Sequence, residues 1–284
     1  MTSSGRPFLV GLIGAGIQAS RTPAMREREG AEQGLDYTYR MIDLEVLGVG
    51  IEALPDLLQK AESEGFAGLN ITYPCKQAVL AHLTDLSDDA RALGAVNTVE
   101  LRDGKRFGHN TDWSGFAKSL RCGLPDASLR KVVQLGAGGA GAATAYAALT
   151  MGVGQLALFD IDSERSCQLA ASLNKRFGDG RAVAVTDLAI TVQDADGLIH
   201  ATPTGMVTHP GLPLPANLLR PTMWVSEIVY FPLETELLRI ARALGCRTLN
   251  GSGMAVFQAA EAFRLFTGIS PDAERMRRHF DSMT

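Results

Sequence analysis

The sequence predicts an α/β protein, with two domains in which strands and helices alternate and a C-terminal helical segment. Three observations carry this prediction. Short apolar segments alternate with amphipathic ones almost throughout the chain. Glycine clusters fall directly after apolar segments, at points where the backbone must turn tightly. The length of 284 residues is sufficient for two domains that each bury a core.

The first domain is predicted to span residues 1–112. Its strands are expected at apolar or alternating segments, which are Phe8–Ile13, Tyr37–Leu44, Gly68–Thr72, Asn97–Leu101 and Arg106–His109. Asp103 and Gly104 have the composition of a two-residue hairpin turn between the last two strands. Helices are expected at segments with helical apolar spacing, which are the residues from Pro23 onward, Leu54–Glu64, Lys76–Leu83 and Asp88–Leu93.

The second domain is predicted over residues 113–250, opening with a helix around Trp113–Cys122. Its strands are expected at Lys131–Leu135, Gln155–Asp160, Ala182–Thr186, Gly197–Ala201, Trp224–Val229 and near Thr248, with helices that include Gly141–Met151, Ser163–Phe177 and Glu234–Leu244. Regular alternation of this kind predicts a doubly wound, mostly parallel sheet. Residues 251–284 are expected to form C-terminal helices, beginning with a long amphipathic one at Met254–Phe266.

Composition excludes several classes of protein. The net charge is −4 and no long basic run occurs, which argues against a nucleic-acid surface. No segment approaches the roughly 20 apolar residues that span a membrane, and Phe8–Ile13 is too short for a signal peptide. The four cysteines form no CxxC pair, so neither a zinc site nor a disulfide framework is expected. A cytoplasmic protein with reduced thiols and no metal is predicted.

A glycine-rich loop follows the apolar strand at Val132–Leu135. The loop is Gly136-Ala137-Gly138-Gly139-Ala140-Gly141, and an alanine-rich helix follows it. In a dinucleotide-binding fold one such glycine makes the turn, one lets the backbone reach the pyrophosphate, and one permits close packing of helix on strand. The phosphates then lie at the helix N-terminus. Strand, loop and helix together predict a Rossmann domain, with the loop residues 136–140 binding the cofactor.

An acidic residue about 20 positions beyond the glycines completes this pattern. Asp160 ends the next strand, where a carboxylate binds the adenosine ribose hydroxyls and repels a 2′-phosphate, and Asp162 adds a second negative charge. NAD is therefore predicted over NADP. Arg165 leaves two readings open, because a guanidinium can contact the cofactor or can be a solvated helix residue.

Hydride transfer from an alcohol also needs a side chain that takes up the hydroxyl proton. Lys76, beside Pro74 at a strand-to-helix junction, is the strongest candidate, and Asp112 opens the helix that leads into the second domain. Taken singly, Lys76 can equally be a solvated lysine, Asp112 a helix N-cap and Asn97 a turn residue.

Several motifs, in order along essentially the whole chain, resemble those of the shikimate/quinate dehydrogenase family. They are Ser20–Pro23, Asn70–Lys76, Gly94–Thr98, Asn110–Asp112, Gly136–Gly141, Ala201–Met206, Val229–Pro232, and Gly251–Met254 followed by Gln258. The resemblance implies a hydride transfer between NAD and a ring hydroxyl of shikimate or quinate, with 3-dehydroshikimate or 3-dehydroquinate as the product. It also implies that the C-terminal helices return to the first domain, which binds the substrate.

The resemblance further implies roles for individual residues. Lys76 would be the catalytic acid and base, with Asp112 as its hydrogen-bonding partner. Ser20 and Thr22 would bind the substrate carboxylate. The ring hydroxyls would contact Thr72, Asn97, Asp112 and Gln258, with Tyr230 close by, and the nicotinamide half of the cofactor would contact Thr202, Ile228, Gly251 and Met254.

The chain also departs from the family pattern. Thr22 stands where many members have serine, and Asp160-Ile161-Asp162 stands where NADP-dependent members have an Asn-Arg-Thr-like run. Both departures resemble the NAD-dependent quinate/shikimate subclass. Glu227 replaces a common aspartate, His200 a common asparagine and Gly14-Ala15-Gly16 a glycine–proline turn. An aminated ring as substrate, a folate-type dehydrogenase, a non-catalytic sensor of the same acid, and either a monomer or a homodimer remain as alternatives.

Overall fold

Residues 7–283 are described by a computed structural model and form two compact units. Unit 1 contains the described residues up to Thr111 together with Gln258–Met283, and unit 2 runs from Asp112 to Phe257. Each unit is built on one six-stranded sheet. Among residues 7–283, no helix combines the length and the apolar character that crossing a bilayer requires. The predicted α/β class is confirmed.

The sheet of unit 1 is mixed. Its strands are β1 (Phe8–Gly14), β2 (Tyr37–Asp43), β3 (Gly68–Ile71), β4 (Asp85–Leu86), β5 (Thr98–Arg102) and β6 (Lys105–His109), arranged in the order β2-β1-β3-β5-β6-β4. β1 pairs in parallel with β2 and β3, whereas β3–β5 and β5–β6 are antiparallel. The predicted hairpin turn is present, with φ of 52° at Asp103 and 70° at Gly104. The two-residue β4 was not predicted, because so short a strand has no periodic signal.

The sheet of unit 2 is parallel throughout. Its strands are β7 (Lys131–Leu135), β8 (Gln155–Phe159), β9 (Ala182–Ala184), β10 (Gly197–His200), β11 (Trp224–Glu227) and β12 (Arg247–Leu249). Their order is β12-β11-β10-β7-β8-β9, so the chain reverses direction across the sheet between β7 and β10. In doubly wound sheets the ligand crevice lies at the carboxyl ends of the strands that flank such a reversal.

Twelve α-helices occur in residues 7–283. They are α1 (Thr22–Glu32), α2 (Leu44–Leu47), α3 (Leu54–Ser63), α4 (Cys75–Ala78), α5 (Asp88–Leu93), α6 (Thr111–Gly123), α7 (Gly139–Thr150), α8 (Ser163–Phe177), α9 (Leu188–Val192), α10 (Glu236–Ala243), α11 (Ser252–Thr267) and α12 (Ala273–Ser282). Six of them begin at a side chain that accepts a backbone N–H: Asp43, Ser87, Asp162, Asp187, Thr235 and Asp272. The helix predicted at Lys76–Leu83 is instead α4 followed by a 3-10 turn at Val79–His82, because Thr84 already bonds to Arg106 alongside the sheet.

Both faces of the first sheet are covered. On one face Leu69 and Ile71 of β3 pack with Leu54 and Leu58 of α3. On the other, Tyr37 and Tyr39 of β2 pack with Phe263 and Phe266 of α11, and the Tyr37 and Phe263 rings stack at a centroid distance of 5.0 Å. The Glu29 carboxylate of α1 accepts hydrogen bonds of 2.8 and 2.7 Å from the Arg275 guanidinium of α12. The predicted return of the C-terminal helices to the first domain is thereby confirmed.

Candidate active site

The glycine loop of unit 2 turns sharply after β7. Gly136 has φ of +100°, and a Cβ placed on it would lie 2.5 Å from the carbonyl oxygen of Ala201. A Cβ on Gly141 would overlap the carbonyl oxygen of Gly136, so a side chain there would push helix α7 off the loop. Both glycines are therefore required by close backbone approaches, as the sequence predicted for the turn and for the packing of helix on strand.

A buried amide holds the two ends of this loop together. Gln134 of β7 is fully buried, and its Nε2 donates to the carbonyl oxygens of Gly136 at 2.9 Å and Gly141 at 2.7 Å. The Thr144 hydroxyl of α7 donates to Gln134 Oε1 at 2.9 Å. Sequence reasoning missed Gln134, although one amide within the apolar run Val132-Val133-Gln134-Leu135 was a signal, since buried polar groups are hydrogen-bonded.

The N-terminus of α7 is open to a ligand. Its N-cap residue, Gly138, makes no side-chain cap, and a Cβ on Gly138 or Gly139 would meet no atom within 4 Å. The first backbone N–H groups of a 12-residue helix therefore face space that glycine leaves vacant. Helix N-termini of this kind bind phosphate through their N–H groups and dipole. Loop and helix fit the pyrophosphate of a dinucleotide.

Asp160 is fixed beside the glycine loop. Its Oδ2 accepts the backbone N–H of Ala137 at 2.7 Å, and its Oδ1 accepts that of Asp162 at 2.9 Å. A carboxylate has about four acceptor sites, so two remain for ribose hydroxyls. The Asp162 side chain caps α8 and lies 3.1 Å from Arg165 Nε. Arg165 is thus engaged by a neighbouring carboxylate on an exposed helical turn, which favours its reading as a helix surface residue.

Of the residues predicted to contact the nicotinamide half, Thr202, Ile228 and Gly251 follow the carboxyl ends of β10, β11 and β12. The Thr202 methyl group lies 3.0 Å from the position of a Cβ on Gly136, so Thr202 adjoins the glycine loop. A Cβ on Gly251 would overlap the carbonyl oxygen of Ile228, which shows that these two segments also touch. Met254 is half-buried in the first turn of α11. Thr202, Ile228 and Gly251 therefore lie along one edge of the sheet.

In unit 1, Lys76 is carried by the short helix α4 directly after β3. Thr72 donates its backbone N–H to Ile13 at 2.9 Å, and the Tyr73–Pro74 peptide bond is cis. The Lys76 carbonyl accepts the backbone N–H of Val96 at 2.9 Å. This bond ties Lys76 to the segment that carries Asn97, so the structure brings these two predicted residues near each other. Lys76 and Thr72 are both half-buried.

Asn97 fixes the start of α6, the helix that carries Asp112. Its Oδ1 accepts the Thr111 backbone N–H at 2.7 Å, and its Nδ2 donates to the Thr111 hydroxyl at 3.0 Å. Asn97 and Asp112 are both buried. Asn97 therefore positions the residue immediately before Asp112, a role that sequence reasoning did not give it.

Ser20 lies on a loop that is held by Asp43, and Thr22 follows as the first residue of α1. The Asp43 carboxylate accepts the backbone N–H groups of Gly16 at 3.1 Å and Ile17 at 3.0 Å, and the side-chain amide of Gln18 at 2.9 Å. The hydrogen bond from Gln18, followed by the backbone donors, lowers the pKa of Asp43 below its ordinary value. The Ser20 hydroxyl then accepts the Thr22 backbone N–H at 3.4 Å. Two half-buried hydroxyl side chains are thus presented together at the start of α1.

A buried arginine lies behind β3. Arg26 is fully buried and donates through Nη1 to Asn70 Oδ1, which also accepts the Tyr39 hydroxyl at 2.9 Å. Asn70 Nδ2 donates to the Thr98 hydroxyl at 3.1 Å. Burial raises the pKa of Tyr39 to about 12, so this phenol stays a hydrogen-bond donor. Sequence reasoning missed this cluster, because Arg26 looks like one more charged residue on an amphipathic helix.

Gln258 and Tyr230 occupy different units. Gln258 is the first residue of α11 that belongs to unit 1, one turn before Ala262, which packs on the first sheet. Tyr230 follows β11 in unit 2 and is 43% exposed. The predicted substrate-binding residues of unit 1 are therefore Ser20, Thr22, Thr72, Lys76, Asn97 and Gln258, whereas Asp112, Tyr230 and all the predicted cofactor-binding residues belong to unit 2.

Comparison with known proteins identifies the family. Residues 12–99 match the family profile described as "Shikimate dehydrogenase substrate binding domain", and residues 251–279 match "Shikimate 5'-dehydrogenase C-terminal domain". A relative from Streptomyces avermitilis, "Shikimate dehydrogenase (NADP(+))", is 61% identical over 95% of this chain and 93% of its own length. The chain belongs to the shikimate dehydrogenase family. The resemblance inferred from the motifs is confirmed.

Other members of the shikimate dehydrogenase family are named for NAD instead of NADP. "Quinate/shikimate dehydrogenase (NAD(+))" from Corynebacterium efficiens is 50% identical over 97% of this chain and 98% of its own length. The solved structure "Quinate dehydrogenase from Corynebacterium glutamicum in complex with NAD" is 48% identical. It superposes with a TM-score of 0.93 and covers 97% of this chain and 99% of that one. The family thus includes similar relatives named for either cofactor.

Proposed function

We propose that this protein catalyses the reversible oxidation of a ring hydroxyl of shikimate or quinate, with NAD as the hydride acceptor. The observation that carries the proposal is the fixed carboxylate of Asp160 beside the glycine loop, in a chain that also presents Lys76 and its neighbouring polar residues. NAD supplies the hydride chemistry when bound, because its nicotinamide ring accepts a hydride and NADH returns it. The described residues supply binding, orientation and proton transfer.

The cofactor site is assigned to unit 2. The loop Gly136–Ala140 and the N-terminus of α7 hold the pyrophosphate, and Asp160 binds the adenosine ribose. Thr202, Ile228, Gly251 and Met254 adjoin the nicotinamide half. Arg165 is left outside the binding set, because Asp162 engages it.

NAD is preferred over NADP on electrostatic grounds. A 2′-phosphate at Asp160 would approach two carboxylates, those of Asp160 and Asp162, and the nearby guanidinium of Arg165 is already partly neutralised. The similarity to NAD-named quinate/shikimate dehydrogenases supports this preference. The 61% identity to an NADP-named relative weighs against it, so the preference rests on the local charge at Asp160.

The substrate site is assigned mainly to unit 1. Ser20 and Thr22, presented together at the start of α1, donate hydrogen bonds to the substrate carboxylate. The ring hydroxyls are bound by hydroxyl, amide and carboxylate groups of Thr72, Asn97, Asp112 and Gln258, with Tyr230 close by. Hydroxyl and amide groups of this kind suit a ring that carries one carboxylate and several hydroxyls.

Lys76 is the proton-transfer residue. In the oxidising direction it takes up the hydroxyl proton while the hydride leaves the same carbon, and in the reducing direction it returns the proton to the carbonyl oxygen. As the family resemblance implies, Asp112 would accept a hydrogen bond from Lys76 and hold the amine in place. The bond from Val96 to the Lys76 carbonyl keeps the backbone of α4 fixed beneath this side chain.

Initial rates test this function directly. They are measured for shikimate and for quinate, each with NAD and with NADP, on the purified protein. We expect turnover of at least one of the two acids, with kcat/KM at least about tenfold higher for NAD than for NADP, a difference of about 1.4 kcal/mol. Turnover with NADP alone would overturn the cofactor assignment, and absence of turnover with either acid would overturn the substrate assignment.

A further inference from the structure

A histidine and a glutamate lie side by side at the ends of two neighbouring strands in unit 2. His200 is the last residue of β10, Glu227 is the last residue of β11, and the two are register partners in the parallel ladder. Both side chains are completely buried. His200 ends β10, one of the two strands that flank the reversal point of the sheet, where the cofactor of a doubly wound fold binds, and Glu227 ends the next strand outward.

Glu227 binds only one of the two ring nitrogens of His200, which is Nδ1. His200 Nδ1 lies 2.9 Å from Oε1 and 2.8 Å from Oε2 of Glu227. The same carboxylate accepts the backbone N–H of Val229 at 2.9 Å and the hydroxyl of Thr235 at 3.2 Å. Because the carboxylate oxygens receive hydrogen bonds from these donors, Nδ1 carries a proton toward them. The ring is therefore fixed in one orientation, with Nε2 pointing away from Glu227.

The other ring nitrogen holds Thr202. His200 Nε2 lies 2.5 Å from Thr202 Oγ1, which also accepts the backbone N–H of Thr204 at 3.3 Å. The hydroxyl is thus held by two partners, whether Nε2 donates or accepts the hydrogen bond. The methyl group of the same side chain lies against the glycine loop at Gly136. Thr202 therefore connects the buried pair of His200 and Glu227 to the glycine loop.

We propose that Glu227 and His200 are positioning residues that fix the Thr202 side chain for the nicotinamide half of the dinucleotide. This inference rests on the proposed function, since it assumes that Thr202 adjoins the nicotinamide. Neither His200 nor Glu227 touches the cofactor, because both are completely buried. The pair acts through Thr202 by removing rotamer freedom that would otherwise be lost when the cofactor binds.

Two substitutions of His200 separate this role from simple core packing. The side-chain amide of His200→Asn reaches the place of Nδ1, so it keeps the bond to Glu227 and loses the bond to Thr202. The longer amide of His200→Gln reaches the place of Nε2 and can keep the bond to Thr202. We expect His200→Asn to weaken NAD binding about three- to tenfold, the loss of one hydrogen bond, and His200→Gln to restore most of the affinity.

Direct binding measurements on the full-length protein test the proposal without turnover. The probes are NAD and ADP-ribose, which has the same adenosine and pyrophosphate but no nicotinamide. In His200→Asn the dissociation constant for NAD should rise while that for ADP-ribose stays within about twofold of wild type. His209→Asn is the matched control, because His209 is also bonded to a threonine hydroxyl, that of Thr208 at 2.9 Å, but is exposed. It should leave both constants unchanged.

A double-mutant cycle with Thr202→Val completes the test. If His200 acts through Thr202, His200→Asn should add less than about twofold once the hydroxyl is already removed. An equal loss of NAD and ADP-ribose affinity, a fully additive cycle, or a lower melting temperature with unchanged NAD affinity would each overturn the proposal. Failure of the proposed function is distinguishable, because it would show as a wild-type protein that binds NAD but oxidises neither acid.

Discussion

The carboxylate of Asp160, directly after β8, accepts the backbone N–H of Ala137 at 2.7 Å, which joins the end of that strand to the start of the glycine loop. Asp160 and the glycine loop are therefore held together by a direct hydrogen bond. This geometry places the charge that selects the cofactor next to the helix N-terminus that binds its phosphates.

Removal of the Asp160 charge should change the choice of cofactor. Asp160→Asn retains the size of the side chain but replaces one acceptor oxygen with a donor and removes repulsion of a 2′-phosphate. We expect kcat/KM with NAD to fall about 10- to 100-fold, the loss of charge-assisted hydrogen bonds, and kcat/KM with NADP to rise. Initial rates with both cofactors check this. Asp179→Asn, at an exposed aspartate, is the control, and an unchanged NAD/NADP ratio in Asp160→Asn would refute the assignment.

Lys76→Ala should strongly lower turnover without changing the affinity for the cofactor. The substitution removes the group that exchanges a proton with the substrate, so kcat should fall by about two to four orders of magnitude. The dissociation constant for NAD, measured by direct binding, should stay near the wild-type value.

Lys60→Ala serves as the control for Lys76→Ala, because Lys60 is an exposed lysine of α3. It should leave kcat unchanged. Turnover near wild type in Lys76→Ala would remove Lys76 from the mechanism and would favour a ligand-sensing protein. A parallel loss of NAD binding would indicate misfolding.

The sequence predicted those parts of the protein that depend on local chain properties. The apolar periodicity located eleven of the twelve strands in residues 7–283 and most of the helices, and the glycine loop with Asp160 indicated the proposed cofactor site. It did not predict interactions that depend on distant residues meeting in space. His200 and Glu227 were noted separately as departures from the family pattern, and only the parallel pairing of β10 and β11 shows that they are partners.

Gln134 and Arg26 are two further buried residues whose interactions the sequence did not predict. Gln134 was visible as a polar residue in an apolar strand, but its acceptors are backbone carbonyls whose positions depend on the turn at Gly136. Arg26 gave no signal, because a charged residue on α1 is expected to face water and here faces Asn70. Burial of polar groups is decided by tertiary packing, which periodicity does not report.

Loss of the Gln134 amide should destabilise the glycine loop. Gln134→Leu leaves the carbonyl oxygens of Gly136 and Gly141 and the Thr144 hydroxyl without this partner in the core. We expect the free energy of unfolding to fall by about 2–4 kcal/mol, measured by urea denaturation. Thr144→Val removes only one of the three bonds and should cost about 1 kcal/mol. Equal stability of Gln134→Leu and wild type would show that the amide does not hold the loop.

Asp43 should make the stability of the protein depend on pH in the acid range. Its hydrogen bonds from Gln18 and backbone N–H groups lower its pKa in the folded protein relative to the unfolded chain. The stabilisation is therefore complete above the unfolded-state pKa of about 3.9 and is lost as the pH falls through the lower folded-state value.

Asp43→Asn removes this titration. Compared with wild type, the variant should be less stable at neutral pH and should lose less stability between about pH 5 and pH 2. Urea denaturation at a series of pH values measures both effects, and Asp126→Asn, at an exposed aspartate, should behave as wild type. Parallel pH curves for Asp43→Asn and wild type would contradict the role of Asp43 in holding the loop that carries Ser20 and leads to Thr22.

The transfer of a labelled hydride tests the proposed reaction most directly. Shikimate and quinate that carry deuterium at the carbon of the reacting hydroxyl are incubated with the protein and NAD, and the NADH is analysed by mass spectrometry. We predict that at least one acid transfers its deuterium to NADH and gives the 3-dehydro acid, and that Lys76→Ala carries out this transfer about two to four orders of magnitude more slowly. Absence of deuterium in NADH with both acids would contradict the assignment of this chain as an NAD-dependent shikimate or quinate dehydrogenase.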